Sequence, residues 1–311
     1  MRENNQIQED VAYFEDEIDL MELFNVIWKS KILIIIITAI FAIGSVIYSI
    51  SLTNYYKSES LLIARGNAAA QNYNQYSGFA ALAGVSLPTS GEDKISQAIE
   101  LIQSRTFVRH LLTFDNILPS IMAPKSYSRV TKELAYDEDI YNSKTMKWNT
   151  SVDGQSMKPS YLQAHREYLK NIVSVSRDKM TGFIKIEVEH ISPIFARDFL
   201  DLVITEANEL LRKKDMEESR QGLDYLKIEL SKTPLVEIQE SINTLIEAQL
   251  EKQMMTQINK DYILIRIDPP FIPDKKSKPV RSFICIVGTI IGGFLSLCFV
   301  LIRHFFFEET N

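Results

Sequence analysis

The chain has 311 residues, of which 46% are apolar and 24% are charged, and its 40 acidic and 34 basic residues give a net charge of −6. These averages exclude disordered, collagen-like and disulfide-rich proteins. The apolar residues, however, are concentrated in two uncharged runs of 21 residues each, at 32–52 and 282–302. As helices rising about 1.5 Å per residue, both runs are roughly 30 Å long, the thickness of a bilayer's hydrocarbon core. The sequence therefore predicts two transmembrane helices.

The segment before the first run, residues 1–31, carries eight acidic and three basic residues, a net charge of −5. A cleaved signal peptide has a short basic start and an apolar core of 7 to 15 residues, and this segment has neither. We expect residues 1–31 to form a cytoplasmic N-terminal arm and residues 32–52 to be a retained anchor.

The charges that flank the two runs bear on their orientation. Lys29, Lys31 and Arg303 flank the outer ends of the runs, whereas four basic residues crowd the inner end of the second. The positive-inside count applies to short loops, and a domain as long as 53–281 is translocated largely regardless of charge. We expect both termini, including the tail 303–311, in the cytoplasm and residues 53–281 outside it; the inverted topology stays open. Residues 53–281 have no net charge, so no basic surface for nucleic acid is predicted.

The first part of the middle segment alternates between strand and helix patterns. A strand is predicted at 55–64 and a long loop rich in Gly, Asn, Gln and Ala at 65–91. Helical periodicity covers 92–112 and 161–171, and a half-buried antiparallel hairpin covers 171–189.

The longest helical pattern starts at Pro193, which follows Ser192 as a first-turn proline follows a cap. A continuous helix over 193–232 is roughly 60 Å long, longer than the roughly 45 Å diameter of a compact domain of this size. We therefore expect the helix to protrude. Its second apolar stripe, formed by Leu223, Leu226 and Leu230, needs cover from outside its own domain. A second helix is expected to follow Pro234 and continue to about Ile258.

A last strand is predicted at 261–268, followed by a stiff, proline-rich connector at 269–279. Because the strands at 55–64 and 261–268 each lie next to an apolar run, they are expected to join one sheet beside the membrane. The predicted fold class is therefore α+β: a membrane-proximal α/β base domain with a long protruding helix, flanked by two transmembrane helices.

Motifs that carry catalytic or metal chemistry are absent from the sequence. The four histidines are scattered, and the two cysteines, Cys285 and Cys298, lie inside the second run, roughly 20 Å apart along a helix. No nucleophile elbow or phosphate-binding glycine loop occurs. We expect no enzyme activity and no catalytic, cofactor-binding or metal-binding residue. Nine residues follow Ile302, too few for the output domain of a sensor kinase.

The second run contains a motif typical of helix packing in membranes. Gly288 and Gly292 form a GxxxG pattern with Gly293 beside it, and small residues at this spacing let a second helix approach closely. That both runs are generic anchors stays open as the alternative.

Four segments together carry a resemblance to a known family. The N-terminal motif 16–23, the segments 77–87 and 226–250, and the proline-rich block 266–279 that runs into Gly292 and Gly293 resemble the O-antigen chain-length determinants (Wzz-type). These are bacterial polysaccharide co-polymerases of the inner membrane. One departure is that three residues, not the family's usual four, separate Pro273 from Ser277.

The resemblance implies a periplasmic base domain with a long helix, assembled into a ring-like homo-oligomer without a catalytic centre. It also implies regulation of the modal chain length of lipopolysaccharide O-antigen together with the O-antigen polymerase, with the growing lipid-linked polysaccharide as a further candidate partner. Coupling to the polymerase or packing of helices is expected at Pro270, Pro273, Pro279, Gly288, Gly292 and Gly293. Contacts between subunits are expected at Leu223, Leu226 and Leu230.

Two alternatives stay open. Within the same class, the chain serves assembly or export of capsule, enterobacterial common antigen or exopolysaccharide. In a different class, it is a passive membrane adaptor for an exporter or for a separate tyrosine kinase.

Overall fold

The structure, a computed structural model, describes residues 20–64, 91–258 and 261–307. It divides into two compact units: a helix unit of Met1–Leu52 with Pro279–Asn311, and a central domain of Thr53–Lys278. Most of the predicted acidic arm, nearly all of the predicted loop at 65–91 and the end of the tail lie outside the described residues.

The helix unit contains the two apolar runs. Its described helices are α1 (Leu20–Lys29), α2 (Lys31–Ser51) and the C-terminal helix α9 (Arg281–Phe307). Helices over Lys31–Ser51 and Arg281–His304 are long and apolar enough to cross a membrane. Their isoleucine and phenylalanine side chains are mostly exposed, as lipid-facing side chains are. Two candidate spans, one near each end of the sequence, fit a two-span inner-membrane protein.

The central domain combines helices with an antiparallel sheet, so the α+β prediction is confirmed. The elements are β1 (Tyr56–Ala64), α3 (Gly91–Gln103), α4 (Arg105–Leu111), α5 (Ile117–Met122), β2 (Pro124–Tyr127), β3 (Leu134–Tyr136), β4 (Tyr141–Asn142), β5 (Lys147–Trp148), α6 (Tyr161–Glu167) with a π-helical turn at Tyr168–Ile172, β6 (Val173–Arg177), β7 (Ile184–His190), α7 (Pro193–Lys232), α8 (Val236–Ile258) and β8 (Leu264–Asp268). The main sheet has the strand order β6-β7-β1-β8, and β2/β3 and β4/β5 form two small hairpins.

The β6/β7 hairpin has the predicted alternation. Ile184, Ile186 and Val188 are buried, while the charged residues between them are half-buried. The connecting turn is stabilised by Asp178, whose carboxylate accepts a hydrogen bond from the backbone N–H of Met180 at 2.8 Å. That hydrogen bond also lowers the pKa of Asp178.

The first half of α7 packs against the buried face of this sheet. The apolar face of this part of the helix lies in the main core, together with β1, β7 and α3. The stripe predicted here was Phe195, Phe199, Val203, Ala207 and Leu210, of which Phe195 and Leu210 are partly buried. The fully buried residues on this face are Ala196, Phe199, Leu200, Val203, Ile204 and Ala207.

Two predicted boundaries are wrong. The helix predicted over 92–112 is broken at Ser104, which caps α4 by accepting a hydrogen bond from Phe107 N–H at 3.1 Å. The strand predicted from Asp261 begins at Leu264. The backbone N–H groups of Ile263 and Leu264, near the start of the predicted strand, are bonded to a side chain of α7 and not to another strand.

That side chain is Asn208, which is 2% exposed. Its Oδ1 accepts hydrogen bonds from the N–H groups of Ile263 at 3.0 Å and Leu264 at 2.9 Å. Its Nδ2 donates to the Leu264 carbonyl at 3.0 Å. Asn208 thereby satisfies buried backbone groups and fixes β8 onto α7.

The second half of α7 is covered by α8, which runs back along it. Leu223 and Leu226 are buried, and Leu226 packs against Ile242 and Leu245 of α8. The expectation that this stripe needs cover from outside its own domain is therefore wrong, since α8 belongs to the same domain. The chain reverses direction at the break at Thr233–Leu235. The second helix, α8, therefore runs back along α7 and covers the stripe.

A buried histidine lies where β7 meets α7. His190 is 1% exposed, its Nε2 donates to the Ser120 carbonyl at 2.8 Å, and its Nδ1 accepts from the Ser192 N–H at 3.0 Å. This arrangement requires the neutral ring. Burial lowers the pKa of His190 from 6.5 to about 4, although its two backbone hydrogen bonds act in the opposite direction.

The shifted pKa predicts pH-dependent stability. Between about pH 6.5 and pH 4 the unfolded chain binds a proton at His190 and the folded chain does not, so stability falls as the pH is lowered through this range. The expected loss is roughly 3 kcal/mol between pH 7 and pH 4. Chemical unfolding of the full chain in detergent at several pH values measures it. His190→Asn keeps one donor and one acceptor but does not titrate, so its slope above pH 5 should be nearly flat; a wild-type slope in that variant would contradict the assignment.

Candidate functional site

The described residues contain no group of three or more His, Cys, Asp or Glu side chains that could hold a metal ion. The candidate functional features are therefore packing surfaces and a charged cluster. The predicted residues fall in both units: Pro279 and the three glycines in the helix unit, and Pro270, Pro273 and the three leucines in the central domain.

The GxxxG motif of α9 lies against α2. A Cβ atom at Gly288 would come closer than 3.0 Å to Cβ of Ser45, and one at Gly292 would come closer than 3.0 Å to Cβ of Phe41. Any larger side chain at either glycine would have to push the two helices apart. We call this contact the glycine seam.

The seam continues with small polar residues. The hydroxyls of Thr38 and Ser296 lie 3.4 Å apart. Ser296 also donates to the carbonyl of Gly293 at 2.7 Å, which satisfies the hydroxyl within its own helix. The pairing of rising numbers on α2 with falling numbers on α9 shows that the helices are antiparallel. Gly293 itself is peripheral, since a Cβ there would meet only Thr38 Oγ1, at 4.0 Å.

The proline-rich connector runs beside β1 and is held by side chains of that strand. The hydroxyl of Ser60 donates to the Asp268 carbonyl at 2.6 Å, and that of Ser58 donates to the Phe271 carbonyl at 2.8 Å. Prolines lack an N–H and cannot continue the ladder of β8. Serine hydroxyls of β1 instead bond the carbonyl of Asp268, at the end of β8, and that of Phe271, in the connector. Pro273 is buried, whereas Pro270 and Pro279 are half-buried.

The three leucines lie on α7, in the pair that this helix forms with α8. Leu223 and Leu226 are inside the pair, and Leu230 is partly buried at its edge. The first two therefore stabilise the helix pair of one chain. A role in subunit contacts stays a prediction, and for these two it would act through the shape of the pair.

A buried charged cluster joins α3, α7 and α8 and was missed by the sequence analysis. The Asp215 carboxylate lies 3.2 Å from Lys94 Nζ and 3.4 Å from Lys252 Nζ, and it accepts a hydrogen bond from the Tyr262 hydroxyl. Lys252 also lies 3.4 Å from Glu218. Both lysines are less than 10% exposed. We call Lys94, Asp215, Glu218, Lys252 and Tyr262 the charged cluster.

The neighbouring groups of the cluster stabilise Asp215 in its charged form. Burial by itself raises the pKa of Asp215, but the two lysines and the Tyr262 hydroxyl hold it below its usual value. Burial, and then the bond to Asp215, raise the pKa of Tyr262, so its hydroxyl stays protonated. The cluster is thus two cations and two anions with balanced charge, and its geometry suits structural locking of α3 against α7 and α8.

One sequence signal pointed to this cluster. The second stripe of α7 was predicted to start at Leu223, yet Asp215 stands four residues after the buried Leu211 and four before the buried Ser219. A carboxylate at that spacing lies on the buried face. Its cationic partners come from positions far away in the sequence, and no local pattern indicates them.

Comparison with known families bears on the chain's first third. Residues 16–113 match the model of the Wzz family, described as chain length determinant protein. This part of the chain is therefore similar to the Wzz chain length determinant family. The match includes the N-terminal motif at 16–23 and the segment 77–87, so the resemblance seen there is confirmed. The description of this Wzz-type family is that of a length regulator and names no catalytic activity.

Two solved structures are similar to this chain. A full-length bacterial polysaccharide co-polymerase shares 13% identity over 92% of this chain and 97% of its own length, with a TM-score of 0.41. A fragment of WzzB, a polysaccharide co-polymerase from Salmonella Typhimurium, shares 11% identity over 72% of this chain and 100% of its own, with a TM-score of 0.33. Both TM-scores are below 0.5, so the assignment rests on the sequence match. No curated protein matches the chain significantly.

The glycine seam predicts a position-specific effect. Cysteines at Thr38 and Ser296, in a chain whose native cysteines are replaced by serine, should be cross-linked readily by oxidation because the two hydroxyls are adjacent. Gly292→Leu should reduce this cross-linking several-fold, since the leucine collides with Phe41. Gly44→Leu is the matched control, because a Cβ at Gly44 meets nothing within 4 Å. Equal yields in the two variants would contradict the seam.

The charged cluster predicts that two lysines paired with the same carboxylate differ in importance. Lys252→Met leaves the buried Asp215 carboxylate with Lys94 as its one lysine partner among the described residues and should lower the free energy of unfolding by on the order of 3 kcal/mol. Lys214 pairs with Glu218 from a side chain that is 61% exposed, so Lys214→Met should cost less than about 1 kcal/mol. Urea unfolding of the full chain in detergent compares them; similar losses would exclude a structural role for the cluster.

Proposed function

We propose that the chain is an inner-membrane polysaccharide co-polymerase that regulates the modal chain length of lipopolysaccharide O-antigen. The observation that carries this proposal is the match of residues 16–113 to the chain length determinant family. The two candidate spans and the α+β domain between them support it. In this role the protein is not an enzyme and needs no cofactor or metal.

The proposed topology has both termini in the cytoplasm and residues 53–281 in the periplasm. Short basic flanks at the outer ends of the spans support it. The absence of cysteine from residues 53–281 is compatible with an oxidising compartment.

The proposed mechanism is assembly. Copies of the chain form a ring-like homo-oligomer in the membrane, and this oligomer contacts the O-antigen polymerase and biases the point at which polymer growth stops. The rigid α7/α8 pair supports this view, because its buried cluster and leucines make a long stiff element that can define a distance. The growing lipid-linked polysaccharide is a further proposed partner, and nucleic acid is not.

The residues proposed for coupling to the polymerase or for helix packing are Pro270, Pro273, Pro279, Gly288, Gly292 and Gly293. Gly288 and Gly292 are supported by their close approach to α2. The second candidate function, within the same class, is assembly or export of capsule, enterobacterial common antigen or exopolysaccharide, since the family match names a chain length determinant but no polymer.

Deleting the gene and separating each surface polysaccharide on a gel tests the proposal. The O-antigen ladder should lose its modal cluster and regain it when the wild-type gene is restored. Restoring Gly292→Leu should give a shortened or random distribution although the protein stays in the membrane, because the seam cannot close. Gly44→Leu should restore the wild-type ladder.

Three results would contradict the proposal in different ways. An unchanged O-antigen ladder with a changed capsule or other polymer would favour the second candidate function. Unchanged ladders for every polymer would favour a passive adaptor. A purified protein that stays monomeric in mild detergent would exclude the ring.

A further inference from the structure

A polar arrangement that the proposed function does not use lies where the polypeptide enters and leaves the central domain. Tyr55 stands three residues after Leu52, and Lys278 directly precedes Pro279. Tyr55 N–H donates to the Lys278 carbonyl at 2.9 Å, and Ser277 N–H donates to the Tyr55 carbonyl at 2.8 Å. The two linking segments are thus joined by an isolated antiparallel bridge.

Glu189 of β7 binds one of these segments with both of its carboxylate oxygens. Oε1 accepts a hydrogen bond from the Ser277 hydroxyl at 2.8 Å, and Oε2 accepts one from Lys278 Nζ at 2.7 Å. The Glu189 side chain is 16% exposed. Ser277 Oγ also lies 3.1 Å from the Tyr55 carbonyl, so the same hydroxyl touches both linking segments.

The isolated bridge needs this support. A single bridge that no ladder between the same two segments extends is marginal in water, and the prolines at 269, 270, 273 and 279 deprive the connector of backbone donors. Lys278 is too exposed for its ion pair alone to hold the segment. The second, partly buried hydrogen bond from Ser277 to the same carboxylate fixes the geometry.

We propose that Glu189 is a positioning residue for chain-length control, which holds the segments leading to α2 and α9 at a fixed spacing. The proposal rests on the proposed function. Without Glu189 the bridge between Tyr55 and Ser277–Lys278 opens, and the central domain is joined to the two helices by loose tethers. A domain on loose tethers no longer fixes where polymer growth stops.

The bridge itself can be tested without any polysaccharide. Hydrogen exchange of the full chain in detergent reports the protection of the Tyr55 and Ser277 amides. Glu189→Ala should speed exchange of peptides that contain them several-fold. Glu187→Ala is the matched control, because Glu187 lies on the same strand and face and pairs with Lys57 and Lys185 instead. Unchanged exchange in Glu189→Ala would overturn the clamp.

The positioning role is tested by rescue. Glu189→Ala should broaden or shift the modal length of the ladder, whereas Glu187→Ala should not. Cysteines at Tyr55 and Lys278, which face each other across the bridge, can replace the clamp with a disulfide in a chain lacking Cys285 and Cys298. The cysteine pair should restore the modal length of Glu189→Ala, and a serine pair at the same positions should not.

The outcomes separate this proposal from the proposed function. A normal ladder in Glu189→Ala, or a disulfide that forms without restoring the ladder, would overturn the positioning role while leaving the proposed function intact. If deleting the gene changes no ladder, the proposed function and the positioning role fail together, and the exchange measurement decides separately whether Glu189 holds the bridge.

Discussion

The central domain depends on one strand, β1, which pairs on both sides. It is hydrogen-bonded to β7 and to β8, and Leu61 of β1 lies opposite Asp268. The sheet is therefore complete only when the last strand of the domain returns to the first. Pairing strands that lie so far apart in the sequence has a large entropic cost of loop closure, which the burial of apolar surface must offset. The packing of the first half of α7 on the sheet, with Asn208 bonded to the start of β8, provides that burial and fixes the order β6-β7-β1-β8.

Once the sheet is fixed, its two faces have different surroundings. One face carries apolar residues into the core with α7, and the other carries a ladder of charges in which Lys185 lies between Glu59 and Glu187. The 40-residue helix α7 extends beyond the part that packs on the sheet. There α8 replaces the sheet as its partner, and the contact includes the charged cluster as well as leucines. Breaking such a cluster at one member is costly, because an uncompensated charge stays buried.

In the helix unit, close approach takes the place of hydrophobic burial as the source of specificity, because lipid is as apolar as the side chains. The sequence indicates this contact well, since Gly288 and Gly292 stand at the spacing of a packing face. It does not indicate the partner. Serine, threonine, alanine and glycine occur at several positions of α2 from Thr38 onward, and only the structure shows that Ser45 and Phe41 are the residues that meet the glycines.

Local patterns in the sequence determined the two spans, the α+β class, the β6/β7 hairpin and the long helix from Pro193, because each depends on periodicity, caps or turns among neighbouring residues. The tertiary structure decided what those patterns meet. In the folded chain α8 covers Leu223 and Leu226, and a predicted helix is broken at Ser104. The strand β8 starts later than predicted because Asn208 bonds the backbone before it. Lys94, Asp215 and Lys252 come together only in the fold. In the sequence, Glu189 is likewise one of the polar residues of an alternating strand pattern. Only folding brings Ser277 and Lys278 to its carboxylate. The physical reason is that these contacts join residues far apart in the sequence, and their partners are chosen by the closure of the sheet around β1.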